Sequence, residues 1–116
     1  MTKPTILIFV SNPNKELLKE IGAGIEEEGV AYEMVVMEGK DIDTLTFESS
    51  NTSILGTGIG VCHSVIALSL SSLEKGTFVF RIEAPTLSQA RAIGTNAARI
   101  VKRKPLKEIK IEVLKP

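Results

Sequence analysis

The sequence predicts an α/β fold with a three-layer, open, mainly parallel sheet of four or five strands flanked by helices. Apolar segments of strand length alternate along the chain with helical segments, as expected when helices connect parallel strands. The first segment, residues 5–10 (TILIFV), is apolar throughout, which is typical of a strand covered on both faces. A length of 116 residues fits one domain over residues 1–116.

The first helix is expected over residues 14–28. Asn12 is expected to cap the N-terminus of this helix, and Pro13 suits the first helical position. Gly29 is typical of the residue that ends a helix. One face of the segment carries an apolar stripe, made of Leu17, Leu18, Ile21 and Ile25.

The middle of the chain predicts three further strands, at residues 30–37 (VAYEMVVM), 53–61 (SILGTGIGV) and 77–82 (TFVFRI). Residues 41–48 are expected to form one or two helical turns. Residues 65–73 are apolar and short, so the pattern leaves open whether they form a strand or a helix.

The last helix is predicted over residues 87–102, opened by the capping box Thr86-Leu87-Ser88-Gln89 and ended by Pro105. The basic residues 102–104 suit the negative end of the helix dipole. Small residues on one face indicate close packing on the sheet; this face contains Leu87, Ala90, Gly94, Ala97 and Val101. A weak strand is expected within residues 109–114.

Composition excludes several classes of function. The 14 basic and 14 acidic residues cancel, so neither a nucleic acid nor a membrane surface is expected as a partner held by bulk charge. No apolar run approaches the ~20 residues of a membrane span. The single cysteine excludes an internal disulfide and favours a reducing cytoplasm, which is the location expected for the protein.

The glycine-rich stretch Gly56–Gly60 (GTGIG) is the first candidate for chemistry. Its spacing is not that of a dinucleotide-binding turn, and no Lys-Ser or Lys-Thr pair follows as in a Walker loop. We therefore expect these glycines to lie in a strand that another backbone approaches closely.

In a parallel sheet, functional residues usually lie in the loops that follow the carboxyl ends of the strands. In this sequence those loops are residues 11–14, 38–41 and 62–63. Cys62 and His63 are neighbours in an extended segment and point to opposite sides, so they cannot readily share a proton or a metal ion. We expect a buried structural Cys62, whereas His63 either contacts a partner or ligand or is structural. Asp41 and Asp43 are spaced like two ligands of a calcium-binding loop, but the glycine and the distal glutamate of an EF-hand are missing.

Catalysis is therefore not expected from these residues, and no catalytic or cofactor-binding residue is assigned. The sequence offers no nucleophile–base pair, no metal cluster and no phosphate loop.

Three glutamates, Glu26 to Glu28, stand at the end of the first predicted helix, where the helix dipole disfavours acids. At 100° per residue, Glu26 and Glu27 point away from the apolar stripe, and Glu27 lies one turn beyond Ala23. Because Gly22 and Gly24 flank Ala23, this face is expected to admit the backbone of another protein. The alternative is a solvated acidic helix end.

Three pieces of the sequence together resemble the small subunit of the diol and glycerol dehydratase reactivating factors: GIEEEGV, the glycine-rich strand ending in Cys-His, and APTLSQARAIGTNAARIVKRKP. The resemblance spans about residues 4 to 108 and is strongest at residues 24–29 and 94–99. The same fold family includes the medium subunit of the adenosylcobalamin-dependent dehydratases, to which GTGIG is closer. That subunit carries an N-terminal extension that this sequence lacks, so the resemblance favours the reactivase small subunit.

The resemblance implies a non-catalytic chaperone subunit active in propanediol utilization. Its expected partner is a large, actin-like ATPase subunit that carries ATP or ADP. On this large subunit the small subunit exchanges with the dehydratase medium subunit, so that damaged cobalamin is released. The resemblance also implies that Glu27 helps to hold a Mg²⁺ or Ca²⁺ ion at the interface with the large subunit.

Further partner contacts are expected at Ala23, Glu26, His63, Asn96 and Arg99. For Thr95 and Asn96 the alternative is structural, with side chains bonded to nearby backbone groups. Two other functions remain open from the sequence: a short dehydratase medium subunit that lines a cobalamin site with Gly56–Gly60, and an unrelated small-ligand-binding α/β domain. The sequence does not decide whether the protein forms a homo-oligomer alone or associates with a microcompartment.

Overall fold

Five strands and three helices form the part of the chain that the computed structural model describes, residues 3–109. In chain order they are β1 (Ile6–Ser11), α1 (Lys15–Glu27), β2 (Tyr32–Val36), α2 (Ile42–Thr52), β3 (Thr57–Cys62), β4 (Val65–Leu70), β5 (Phe80–Glu83) and α3 (Leu87–Lys102).

The strands form one sheet in the order β2-β1-β3-β4-β5. β1 pairs in parallel with β2 and β3, whereas β4 is antiparallel to both β3 and β5. All strands except β4 therefore run in one direction, but the sheet is mixed. The segment that the sequence left open is β4, and it is antiparallel because the two residues His63 and Ser64 are too few for a crossover back to a parallel strand.

The helices lie on both faces of the sheet, which gives the expected three layers. Ile6, Ile8 and Val10 of β1 belong to the larger core under α1 and α3. The alternate residues Leu7 and Phe9 face the other way and pack with Leu45 of α2, in a smaller cluster. This alternation is the two-residue period of a strand buried on both faces.

Helix boundaries differ from the prediction where side chains provide unexpected caps or hydrogen bonds. Asn14, not Asn12, caps α1, because its Oδ1 accepts from the backbone N of Glu16 at 2.9 Å and of Leu17 at 3.3 Å. α2 runs to Thr52, longer than expected from weak helix formers. Its buried hydroxyls donate to carbonyls of their own helix, at Thr46, Ser49 and Ser50.

α3 matches its predicted bounds, and the capping box between Thr86 and Gln89 is formed in both directions. β3 and β5 begin later than predicted, at Thr57 and Phe80. The weak strand expected within residues 109–114 lies, apart from Ile109, outside the described residues.

The glycines of β3 have the role predicted for them. A Cβ on Gly58 would overlap the backbone of Ser49 and Ser50, and one on Gly60 would lie 2.9 Å from the backbone N of Thr46. α2 therefore packs directly on the strand backbone at these two positions. Within residues 3–109, no helix is both long and apolar enough to cross a membrane.

Candidate functional site

The loops after β1, β2 and β3 meet at the carboxyl edge of the sheet, as predicted. The side chain of Asn12 lies 3.0 Å from Nδ1 of the exposed His63. The backbone N of His63 donates to the carbonyl of Ser11 at 3.2 Å, and its carbonyl accepts from the backbone N of Asn14 at 3.2 Å. The backbone N of Gly39 donates to Ser11 Oγ at 3.1 Å. These bonds fix the position of His63 and link the three loops.

Tight turns with left-handed backbone occur at this edge, with φ of 43° at Asn12, 53° at His63 and 46° at Ala84. Beside them, Cys62 is half-buried, with Sγ 3.8 Å from the carbonyl of Lys40. Burial first, and then the carboxylates of Asp41 and Glu38, raise the pKa of the Cys62 thiol. The thiol is therefore protonated at neutral pH, which suits a structural residue better than a nucleophile.

The second charged region lies where α1 and α3 pack together. A Cβ on Gly24 would overlap the carbonyl oxygen of Arg91 and lie 2.8 Å from the backbone N of Thr95. A Cβ on Gly22 would press on the ring of Tyr32. The expectation that these glycines leave room for another protein is therefore wrong: α3 and Tyr32 of this chain fill the space, and Ala23 between them is half-buried.

Each of the three glutamates at the end of α1 has a partner from another element. Tyr32 donates its hydroxyl to Glu26 Oε1 at 3.0 Å. The Glu28 carboxylate lies 3.6 Å from both Arg99 Nε and Lys102 Nζ, and Lys102 Nζ also donates to the Glu28 carbonyl at 2.7 Å. The acids therefore do not form a merely solvated helix end.

Glu27, the middle glutamate, is paired with Arg91 of α3. Arg91 donates to Glu27 Oε1 from Nε at 3.0 Å and also from Nη2. Its Nη1 donates to Glu20 Oε1 at 2.9 Å. The bonds to Glu27 and then to Glu20 raise the pKa of Arg91 above its usual value. Arg91 and Glu20 were missed by the sequence reasoning, although the one-face spacing of Glu20 and Glu27 was a signal for a shared cation.

Asn96 and Arg99 hold the chain that follows α3. Asn96 is fully buried; its Oδ1 accepts from the backbone N of Lys107 at 2.6 Å and its Nδ2 donates to the Lys107 carbonyl at 2.9 Å. Arg99 Nη1 donates to the Pro105 carbonyl at 3.4 Å. In this conformation Asn96 has no surface to offer a partner, so its contacts support the structural alternative. Thr95 Oγ1 likewise donates to the Arg91 carbonyl at 3.1 Å.

Among residues 3–109, no three His, Cys, Asp or Glu side chains are grouped so that they could hold a metal ion. A divalent cation bound at Glu27 would therefore need ligands from another molecule as well.

Comparisons with known proteins extend over nearly the whole chain. A sequence model described as dehydratase medium subunit matches residues 3–107. The chain is 30% identical to the propanediol dehydratase-reactivating factor small subunit of Citrobacter freundii, over 93% of this chain and 94% of the relative. It is 31% identical to the protein of the same name from Salmonella typhimurium, over 91% of this chain and 92% of the relative.

Two solved structures are similar in fold. A glycerol dehydratase reactivase superposes with a TM-score of 0.86 at 27% identity, covering 91% of this chain and 98% of that chain. A diol dehydratase-reactivating factor complexed with ADP and Mg²⁺ has a TM-score of 0.86 at 25% identity, covering 92% and 100%.

Proposed function

Because the chain belongs to the dehydratase medium subunit family, we propose that it is the small subunit of a reactivating factor for an adenosylcobalamin-dependent diol or glycerol dehydratase. The observation that carries this proposal is the match to reactivase chains over 98% and 100% of their length, each with a TM-score of 0.86. The relatives named as reactivating factor small subunits agree with it.

The proposed role is binding rather than catalysis. Glu20 and Glu27 of α1 are used in ion pairs with Arg91 of α3, and Cys62 is protonated. The partner is a large ATPase subunit, on which ATP or ADP would be bound. The relative solved with ADP and Mg²⁺ supports a nucleotide bound within the complex.

Subunit exchange is the proposed mechanism. The small subunit leaves the large subunit, the dehydratase medium subunit takes its place, and the opened dehydratase releases damaged cobalamin. The family model that matches this chain describes dehydratase medium subunits, whereas the named relatives are reactivating factor small subunits. One fold thus occurs in both exchanging proteins, so each can present a similar surface to the large subunit.

Glu27 is the proposed cation ligand at that interface. Its side chain is 56% exposed, and a carboxylate oxygen is the ligand type that Mg²⁺ and Ca²⁺ prefer. Glu27 would provide one ligand to the cation, and the remaining ligands would come from the large subunit. Bound there, the cation would supply a positive charge shared by the Glu27 carboxylate and ligands of the large subunit. Ala23, Glu26, His63 and Arg99 remain proposed partner contacts, while the buried Asn96 is not retained.

A dehydratase medium subunit that lines a cobalamin site with Gly56–Gly60 is the other candidate. The packing of α2 on Gly58 and Gly60 argues against it, because the space beside these glycines is already filled.

Co-expression with the large subunit of a dehydratase-reactivating factor tests the proposal. We expect a complex of the two chains by size-exclusion chromatography with light scattering, and restored activity of inactivated dehydratase when ATP and Mg²⁺ are added. Calorimetric titration of the isolated chain with ATP or adenosylcobalamin should show no saturable binding at micromolar concentrations. Cobalamin retained on purification, without a complex, would favour the medium-subunit candidate.

A further inference from the structure

Glu20 and Glu27 lie seven residues apart on α1, about two helical turns, and therefore face the same side. Arg91 of α3 spans the gap between them. Its guanidinium donates from Nε and Nη2 to Glu27 and from Nη1 to Glu20. One cation thus serves two carboxylates on the same face of α1.

The two carboxylates differ in exposure. The Glu20 side chain is 23% exposed and the Glu27 side chain 56%. A charged group arriving from outside therefore reaches Glu27 first. Since Glu20 is more shielded from water, its ion pair with Arg91 is screened less.

The backbone of Arg91 is packed against α1, whereas its partly exposed guanidinium is bonded to the Glu20 and Glu27 side chains. The Arg91 carbonyl oxygen packs against Gly24, where no side chain separates the two helices, and it also accepts from Thr95 Oγ1 at 3.1 Å. A change of partner by the guanidinium therefore requires only side-chain rotation, with no shift of α3.

We infer that Arg91 is a transferable counter-ion: it occupies Glu27 in the free subunit and withdraws onto Glu20 when a divalent cation binds Glu27 at the large-subunit interface. This inference rests on the proposed role of Glu27. The withdrawal removes a positive charge from the neighbourhood of the arriving cation, and Glu20 keeps the guanidinium paired after it leaves Glu27. Arg91 is thus a positioning residue that sets the concentration of divalent cation required for the two subunits to associate.

The test is the Mg²⁺ concentration at half-maximal complex formation with the large subunit, measured for four proteins: the parent, Arg91→Met, Glu20→Gln and the double variant. Arg91→Met should lower this concentration by about three- to tenfold, because the competing cation is gone. Glu20→Gln should raise it by about two- to fivefold, because Arg91 then stays on Glu27.

The double-mutant cycle separates this handover from simple charge attraction. In the Arg91→Met background, Glu20→Gln should change the half-saturating concentration by less than about twofold. Glu16→Gln is the matched control, since it removes the same charge from the same helix about 16 Å from Glu27 by helix rise. It should have little effect. Arg91→Lys, which keeps the charge but lacks the fork, serves as the variant if Arg91→Met does not fold, and should give an intermediate decrease.

The outcomes separate the inference from the proposal beneath it. Complex formation by the parent that is indifferent to both Mg²⁺ and chelator refutes the role of Glu27 and the inference with it. A Mg²⁺-dependent parent whose requirement is unchanged or increased by Arg91→Met refutes only the transfer of Arg91. An equal effect of Glu20→Gln in both backgrounds refutes it as well, because Glu20 then acts by charge alone.

Discussion

The close approach of α1 and α3 at Gly24 predicts that Gly24→Ala destabilises the protein. The new Cβ would overlap the Arg91 carbonyl oxygen and lie 2.8 Å from the Thr95 backbone N, and neither backbone atom can rotate away. Overpacking of this kind costs about 1–3 kcal/mol, and the opposing gain in helix propensity is about 1 kcal/mol. Because the atoms that the new Cβ meets belong to the backbone, we expect the upper part of this cost, about 2–3 kcal/mol. The net loss is then about 1–2 kcal/mol, seen as a fall in Tm of roughly 4–8 °C per kcal/mol.

Gly22→Ala is the matched control, on the same helix and with the same substitution. Its Cβ would meet the ring of Tyr32, with Cζ at 2.9 Å, and a half-buried phenol can move aside at the cost of its bond to Glu26. The propensity gain should then offset most of the cost, so Gly22→Ala should unfold close to the parent in thermal and urea denaturation followed by circular dichroism. If Gly24→Ala is as stable as Gly22→Ala, the absence of a side chain does not set the α1–α3 distance.

Three further changes test the other contacts. Glu27→Gln in the isolated chain should lower Tm by about 1–3 °C, because Arg91 loses an ion pair; an unchanged or higher Tm, as the helix dipole alone suggests, would show that the pair contributes nothing. Asn96→Ala should cost about 1–3 kcal/mol and accelerate hydrogen exchange at the Lys107 amide, and unaltered exchange there would contradict the clamp. The raised pKa of Cys62 means that the folded state holds the thiol proton more tightly than the unfolded state, so this stabilisation is present below the unfolded pKa and is lost as pH rises through the folded pKa. Iodoacetamide should therefore alkylate the native protein more slowly than the urea-unfolded chain at pH 8, and equal rates would show an accessible, unshifted thiol.

Elements with strong local signals could be predicted from the sequence. α1 and α3 follow an apolar period of helical type, and the capping box at Thr86 needs only residues that are neighbours in the chain. The glycines of β3 could be assigned to close packing because their spacing excluded a phosphate loop. β4 could not be assigned, because residues 65–70 are buried on both faces. Their apolar pattern therefore shows neither the two-residue period of a half-buried strand nor the 3.6-residue period of a helix.

The candidate site depends on contacts between residues far apart in the chain, which the sequence does not specify. The rotation of 100° per residue correctly placed Glu27 away from the apolar stripe of α1. The sequence did not show which residue of α3 would lie opposite Glu27. Arg91 is 64 positions away, and its approach depends on the close packing of Gly24 against α3. The bonds between Asn96 and Lys107 could not be predicted for a similar reason, because Lys107 belongs to a segment without a regular pattern.

The run of three acids at the end of α1 is unfavourable only while the helix is considered alone. In the folded chain Glu26 accepts from Tyr32 of β2, and Glu28 lies beside Arg99 and Lys102 at the end of α3. Withdrawing either acid would leave its partner without that contact. Glu27 differs, because its cation, Arg91, is also bonded to Glu20 and would remain paired after Glu27 is taken. Of the three glutamates, the middle one is therefore the acid whose cation keeps a second carboxylate when a partner engages it.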